Sequence, residues 1–325
     1  MTRMTRPFVA TIPFLLVLNA AQPAHAHDDH CAAIRESVEK AGFADSVTVV
    51  CDGDHASIIS DTFPDHEMMT GIVGTNEQVP VPAKDHAAPI PLEPKLGDTP
   101  QTRDSSLGVA VNGVPIYDYT AGGEMTEAEL YHYQAHHDTV ATQQLDECGG
   151  HAGKGDDYHY HAKPTCMIEQ MKNAGDDAII GWAFDGFPIF GDNNPDGTQI
   201  ADGELDVCNG KADDTFGYRY HTSADAPYII QCLMGEVADL QALPRVAPLR
   251  SIDGNGGRDS GVPPRGGVED LVFTQFPGGG GHMEYSYRGE TYYIRYAPSD
   301  RPDCYDFETR TVTNGGEVET GTYCR

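Results

Sequence analysis

The stretch Leu145-Asp146-Glu147-Cys148-Gly149-Gly150-His151, followed by Tyr158-His159-Tyr160-His161 and then Cys166, recurs downstream in altered form. The second copy reads Leu205-Asp206-Val207-Cys208-Asn209-Gly210-Lys211, then Tyr218-Arg219-Tyr220-His221, then Cys232. In both copies the Cys precedes the first Tyr by 10 residues and the final His by 13. Each copy also follows a partner segment, because Gly108 to Tyr117 matches Gly181 to Phe190 position by position. The pattern points to a degenerate internal duplication, so differences between the halves become physical clues.

Working outward, Val109–Val111 and Val114–Tyr117 flank Asn112-Gly113, a strong two-residue hairpin signal. Trp182–Phe184 and Phe187–Phe190 repeat the design around Asp185-Gly186. Pro115 and Pro188 confine the returning strands to edges or breaks. Thr126 and Glu129 form a capping box, after which the pattern predicts a helix to about residue 144. Residues 248–282 are rich in Gly and Pro and read as loop, Glu284–Tyr287 and Thr291–Tyr296 as a hairpin, and the chain end as a hairpin around Asn314-Gly315. The expected class is α+β and β-rich, a disulfide-stapled domain built from two degenerate copies of one hairpin plus Cys-to-Tyr-x-Tyr-His-to-Cys unit.

The chain resembles the YHYH family of bacterial exported proteins, named for the run at Tyr158–His161. The resemblance covers roughly residues 105–300 and rests on the two hairpin segments, the two Leu-Asp-x-Cys-x-Gly stretches and the run itself. It implies an exported protein and assigns no reaction.

Residues 1–26 read as a secretory leader: Arg3 and Arg6 precede an apolar stretch, and Ala24-His25-Ala26 fits a small-x-small cleavage site. The apolar run is too short and interrupted for a membrane span. Periplasmic or secreted residence is therefore expected. Residues 27–60 form a small helix-plus-hairpin unit, with the helix over His30–Phe43 and strands over Ser46–Val50 and Ala56–Ser60. Residues 61–104 read as a Pro-rich linker or wrap, 105–300 as the duplicated domain and 301–325 as a Cys-closed hairpin.

All 8 cysteines follow the cleavage point, which suits an oxidising compartment. The duplication pairs Cys148 with Cys166 and Cys208 with Cys232 as equivalent bridges, and leaves Cys31–Cys51 and Cys304–Cys324 for the two ends. Thiolate ligation of a metal is the alternative, without the usual CxxC spacing. The net charge of −29 argues against nucleic acid or an anionic membrane as partner. It is compatible with cations, a cationic partner, or plain solubility.

The candidate chemistry lies on the histidines. Along a strand, His159 and His161 share one face while Tyr158 and Tyr160 share the other. The tyrosines recur as Tyr218 and Tyr220, which suits packing. The histidines do not, since His151 and His159 become Lys211 and Arg219. His151, His159 and His161 thus form a candidate transition-metal site, with copper or zinc the natural ions for neutral imidazoles. His221 is a candidate fourth ligand, and Asp146 and Asp206 are candidate acceptors that orient the rings. Such a site permits copper-dependent oxidation or metal-assisted hydrolysis, with Tyr158 or Tyr160 as partner, although alternation aims both away. Lys211 and Arg219 suit an anionic group or the acidic surface.

Other candidates are weaker. His27 at a cleaved N-terminus, with His30, has the makings of a copper-chelating histidine brace. His132 and His136 are a pair at helical spacing. Asp192, Asn194 and Asp196 match the first half of a calcium loop, but Gly203 stands where its last carboxylate belongs. Gly278–Gly281 lacks the strand-then-helix context of a phosphate loop, and the neighbouring His282 cannot be placed relative to the histidine site. A non-catalytic module that binds a metal, a small molecule, a glycan or an envelope partner remains open beside the metalloprotein reading, as does a calcium-stabilised structural module.

Overall fold

A computed structural model describes residues 24–254, 256–258, 262 and 264–325. Most of the leader expected over residues 1–26 lies outside the described residues. Helix α1 (Ala24–Ala41) leads into an antiparallel pair, β1 (Thr48–Asp52) and β2 (His55–Ser60). The sequence analysis placed both strands within two residues, because β-branched residues flank the Asp52-Gly53 turn. Strand β3 (His86–Pro91) completes this sheet against β2, and β4 (Leu96–Gln101) pairs elsewhere. The stretch expected to be a linker or wrap supplies two strands. Its prolines obscure the alternation His86-Ala87-Ala88-Pro89-Ile90, in which Ala88 and Ile90 are fully buried.

The duplicated segment forms one 8-stranded sheet. The first half contributes β5 (Gly108–Ala110), β6 (Pro115–Ile116), β7 (Gly150–Ala152) and β8 (Tyr158–Tyr160), with the short helices α2 (Glu127–Tyr131) before β7 and α3 (Thr165–Gln170) after β8. The second half contributes β9 (Gly181–Ala183), β10 (Pro188–Phe190), β11 (Gly210–Asp213) and β12 (Gly217–His221). Their order, β11-β12-β10-β9-β5-β6-β8-β7, reads the same from either end when the halves are exchanged. β5 and β9 meet antiparallel at the centre, with Val109 opposite Trp182. Each Tyr-x-Tyr-His strand runs parallel to its hairpin's returning strand, Ile116 opposite Tyr160 and Ile189 opposite Tyr220.

Strand β13 (Leu233–Gly235) pairs with β4. The last sheet holds β14 (Arg250–Ser251), β15 (Glu269–Phe276), β16 (Gly280–Tyr287), β17 (Glu290–Pro298), β18 (Cys304–Arg310) and β19 (Val318–Cys324), in the order β14-β19-β18-β17-β16-β15. The two C-terminal hairpins occur where the sequence put them. β15 and the start of β16 do not match the loop expected over 248–282. Leu271 and Phe273 alternate inward there, and Gly281 lets the Phe273 and Tyr296 rings close to within 2.7 Å of where a Cβ would sit.

The helix expected to reach residue 144 stops at Tyr131. Its capping box forms as expected, but His132 is already extended. Asp138 then takes the amides of Val140 and Ala141 on one carboxylate oxygen and fixes a turn instead. All eight cysteines are paired as anticipated: Cys31–Cys51, Cys148–Cys166, Cys208–Cys232 and Cys304–Cys324. Thiolate ligation is therefore set aside. Bridges closing loops of this length contribute about 3 kcal/mol each. One apolar core runs from Ile34 in α1 through Trp182 to Phe307 in β18, so the segments share a single interior.

Candidate metal centre

The two halves build their motif with the same parts. The Asp146 carboxylate accepts from the amides of Cys148 and Gly150 at 3.0 and 3.1 Å, and from the Tyr158 hydroxyl at 2.8 Å. Asp206 does the same for Cys208, Gly210 and Tyr218, at 2.9, 2.8 and 2.8 Å. These aspartates fold the Cys-Gly turn and hold a tyrosine. They do not orient the histidines, which departs from their expected role. Gly150 and Gly210 are required beneath those rings, because a Cβ would lie 2.6 Å from the Tyr158 hydroxyl and 1.9 Å from that of Tyr218.

The second tyrosine pins each strand to its own hairpin. Asn112 donates to the Tyr160 hydroxyl at 3.0 Å, and Tyr220 donates to Asp185 at the equivalent position. The tyrosine face is therefore the packing face, as alternation predicts, and neither tyrosine reaches the histidines.

The opposite face gathers His151, His159 and His161. Their ligand atoms lie within 4.8 Å of one another, and their ring centroids are 4.7–5.0 Å apart. Each Nδ1 faces an oxygen. His151 Nδ1 meets the Gln144 carbonyl at 3.1 Å, His159 Nδ1 meets the Asp157 carbonyl at 3.1 Å, and His161 Nδ1 meets the Asp118 carbonyl. A carbonyl only accepts, so each Nδ1 carries the proton and each Nε2 keeps a free lone pair. Two of those lone pairs already face each other, with His151 Nε2 and His161 Nε2 3.1 Å apart. With both Nδ1 atoms protonated, neither Nε2 carries a proton to share across that contact.

Burial reinforces this state. The three residues are 7, 5 and 3 % exposed. Burial and the neighbouring His159 hold His151 down to about 3, and burial with the same ring neighbours holds His161 well below the imidazole range. The Asp157 carboxylate stands 3.4 Å from His159 Nδ1. Burial pushes its pKa up, but the His159 hydrogen bond and charge and the Arg325 charge outweigh that and keep it below the usual value. It is the carboxylate beside the triad, where Asp146 had been expected. Alternation could have found it, because Asp157 sits two residues before His159 on the same strand face. Tyr117 was also missed: its ring stacks on His159 at 4.0 Å, where the second half has Phe190. Gly153 permits the crowding, since a Cβ would lie 2.5 Å from His159 Cε1.

The second half keeps every anchor and changes the tips. His221 Nδ1 meets the Gly191 carbonyl at 2.9 Å, as His161 meets that of Asp118. Arg219 donates to the Gly217 carbonyl at 3.0 Å, as His159 does to that of Asp157. Lys211 pairs with Glu204 at 2.9 Å, at the position equivalent to Gln144. Arg219 is fully buried, ion-paired with Asp213 at 2.8 Å and donating to Asn194 at 2.6 Å. A fixed cation thus occupies the second site, and both Lys211 and Arg219 pair with acidic residues, the second of the two roles expected for them. His221 belongs to that site and not to the histidine triad, so the expected fourth ligand is not supplied from there.

The calcium candidates are engaged otherwise. Asp192 binds Lys163 at 2.7 Å and Thr222, Asn194 turns its oxygen to Arg219, and Asp196 caps Thr198. A guanidinium at the middle position is incompatible with a cation there. His27 pairs with Glu93 at 2.6 Å and His30 with the Gly186 carbonyl at 3.1 Å, so they serve different partners. His282 lies on β16 between Phe276 and Tyr293, away from the triad. Among the described residues, a second metal-compatible group is His66 with Cys148 and Cys166. Those sulfurs are bonded to each other, and both His66 nitrogens are taken, by the Glu67 carbonyl and the Tyr160 hydroxyl.

A β-rich, disulfide-stapled domain with three converging imidazoles is the class these observations define. Residues 87–200 match the family model described as YHYH protein. The match spans the first hairpin and the histidine motif, begins upstream of the expected boundary at residue 105, and ends before the second motif. No curated protein and no solved structure matches the chain. Among the described residues no helix is long and apolar enough to cross a membrane.

Proposed function

We propose that the chain is an exported metal-binding protein whose His151, His159 and His161 hold one transition-metal ion, copper or zinc. The observation that carries this reading is that all three Nδ1 atoms face oxygens while one ring nitrogen of each residue lies within 4.8 Å of the others, with His151 Nε2 and His161 Nε2 3.1 Å apart. Three preoriented imidazoles suit these ions. Asp157 beside His159 supplies the carboxylate–histidine pairing that raises ligand basicity. The second half gives independent support, because Arg219 places a permanent guanidinium charge where the first half has an imidazole.

Burial of the triad favours holding an ion over turning over a substrate. Four disulfides and the leader-like start support a periplasmic or secreted location. Elemental mass spectrometry of untagged protein tests the reading. Stoichiometric copper or zinc is expected, lost in His159→Ala/His161→Ala while the circular dichroism spectrum is kept. Equal metal in both proteins, or none in wild type after incubation with Cu(II) and Zn(II), would refute it.

A further inference from the structure

The C-terminal sheet turns one face to the core, through Phe273, Met283, Ile294 and Phe307. On the other face the strand register sets side chains in rows. Arg295, Glu308 and Thr320 stand side by side in one row, and Ala297, Asp306 and Thr322 in the next. Phe276, paired with Gly280, closes one end, its ring 3.6 Å from where a Gly280 Cβ would sit. Gly280 adjoins Ala297, and the near-absence of side chain at both leaves a depression between the Phe276 ring and Asp306. Phe276 and the two rows line an open groove of about 480 Å³, a size that suits a small-molecule ligand.

The polar groups of the groove hold one another in place. Arg295 pairs with Glu308 at 2.9 Å, and the other Glu308 oxygen accepts from the Tyr293 hydroxyl at 2.8 Å. Asp306 accepts from the Thr322 hydroxyl at 2.6 Å. Groups ordered beforehand cost less to engage when a ligand arrives. The Phe276 ring, 42 % exposed, needs no rearrangement to meet one.

We propose that this groove binds a neutral oligosaccharide with flat, all-equatorial pyranose rings. Such a sugar has an apolar C–H face for the Phe276 ring and a rim of hydroxyls. Each hydroxyl both donates and accepts. Arg295 only donates, the carboxylates of Asp306 and Glu308 only accept, and Thr320 does either. Three observations select this occupant. Arg295 and Glu308 neutralise each other, and Asp306 adds a carboxylate on a chain of net charge −29, so an anionic sugar is repelled. A peptide adding as a strand needs free backbone, but β17 and β18 are paired on both sides beneath the groove. A protein partner needs a larger apolar centre than Phe276 and Ala297, the two exposed apolar residues of the lining. The groove shares no residue with the histidine triad.

Isothermal titration with cellohexaose and N-acetylchitohexaose, two neutral sugars of this shape, tests the proposal, with polygalacturonate as the anionic control. One-to-one binding of at least one neutral sugar is expected, and no binding of polygalacturonate. Phe276→Ala and Glu308→Gln should each weaken binding by about tenfold, with the near-ultraviolet circular dichroism spectrum kept. Val318→Ala, at an exposed position on β19 outside the groove, should bind as wild type does. His159→Ala/His161→Ala should bind sugar unchanged, so this reading and the metal reading fail separately. A wild-type protein that binds neither neutral sugar would overturn the proposal. Wild-type affinity in both Phe276→Ala and Glu308→Gln, or a preference for polygalacturonate, would overturn it as well.

Discussion

At the scale of single residues, the centre depends on which oxygen each ring faces. His159 Nδ1 is held by the Asp157 carbonyl, with the Asp157 carboxylate 3.4 Å away. Asp157→Asn keeps the carbonyl and removes the charge. Losing such an outer partner costs about 10- to 100-fold in metal affinity. Competition titration against a chromophoric chelator is expected to show a loss of that size, with stoichiometry kept. Unchanged affinity would mean that the carboxylate plays no part. The gathering of the three histidines was legible in the sequence because strand alternation and the unequal halves singled them out. Asp157 was equally legible by alternation. The Asp146 carboxylate, by contrast, turned out to serve backbone amides and Tyr158, a role that depends on how the Cys-Gly turn closes and that no spacing reveals.

At the scale of elements, the two Tyr-x-Tyr-His strands are the same construction with different tips. The carbonyls of Asp118 and Asp157 have counterparts in those of Gly191 and Gly217. His221 Nε2 is buried without a hydrogen-bond partner, pointing into a site that Arg219 already fills. Replacing the cationic tips should therefore restore the site. Lys211→His/Arg219→His is expected to bind a second equivalent of Cu(II) by calorimetric titration. A variant that folds and still binds only one equivalent would show that the halves are not equivalent cradles. The duplication and both hairpins could be read from sequence, since turn dipeptides and alternation are local. The helix beyond Tyr131 could not, because Asp138 captures the chain through contacts with distant Tyr228. The strands hidden in 61–104 and 248–282 carry Pro and Gly and declare themselves only through their partners.

At the scale of the molecule, burial of titratable groups sets the response to acid. In the metal-free protein, burial disfavours the charged rings of His151, His161 and His221, holding His151 at about 3 and His221 at about 4. Below about pH 6.5 the unfolded chain therefore binds more protons, and these groups lose stability as pH falls. Asp118 and Asp146, raised by burial to about 6, act oppositely. They take up protons in the folded state first and return stability between about pH 6 and pH 4. Below about pH 4 that compensation is complete while the histidines still oppose folding. Near-ultraviolet circular dichroism should show the steepest loss there, and unfolding finished by pH 6 would contradict the balance. The pairing of all eight cysteines was legible because the duplication set two bridges and left the ends to each other. The central claim concerns what the three imidazoles surround. X-ray absorption at the edge of the bound metal tests it most directly. Three imidazole nitrogens at about 2.0–2.1 Å are predicted, with that shell gone in His159→Ala/His161→Ala. A shell containing sulfur at about 2.3 Å, or oxygen alone, would contradict the account.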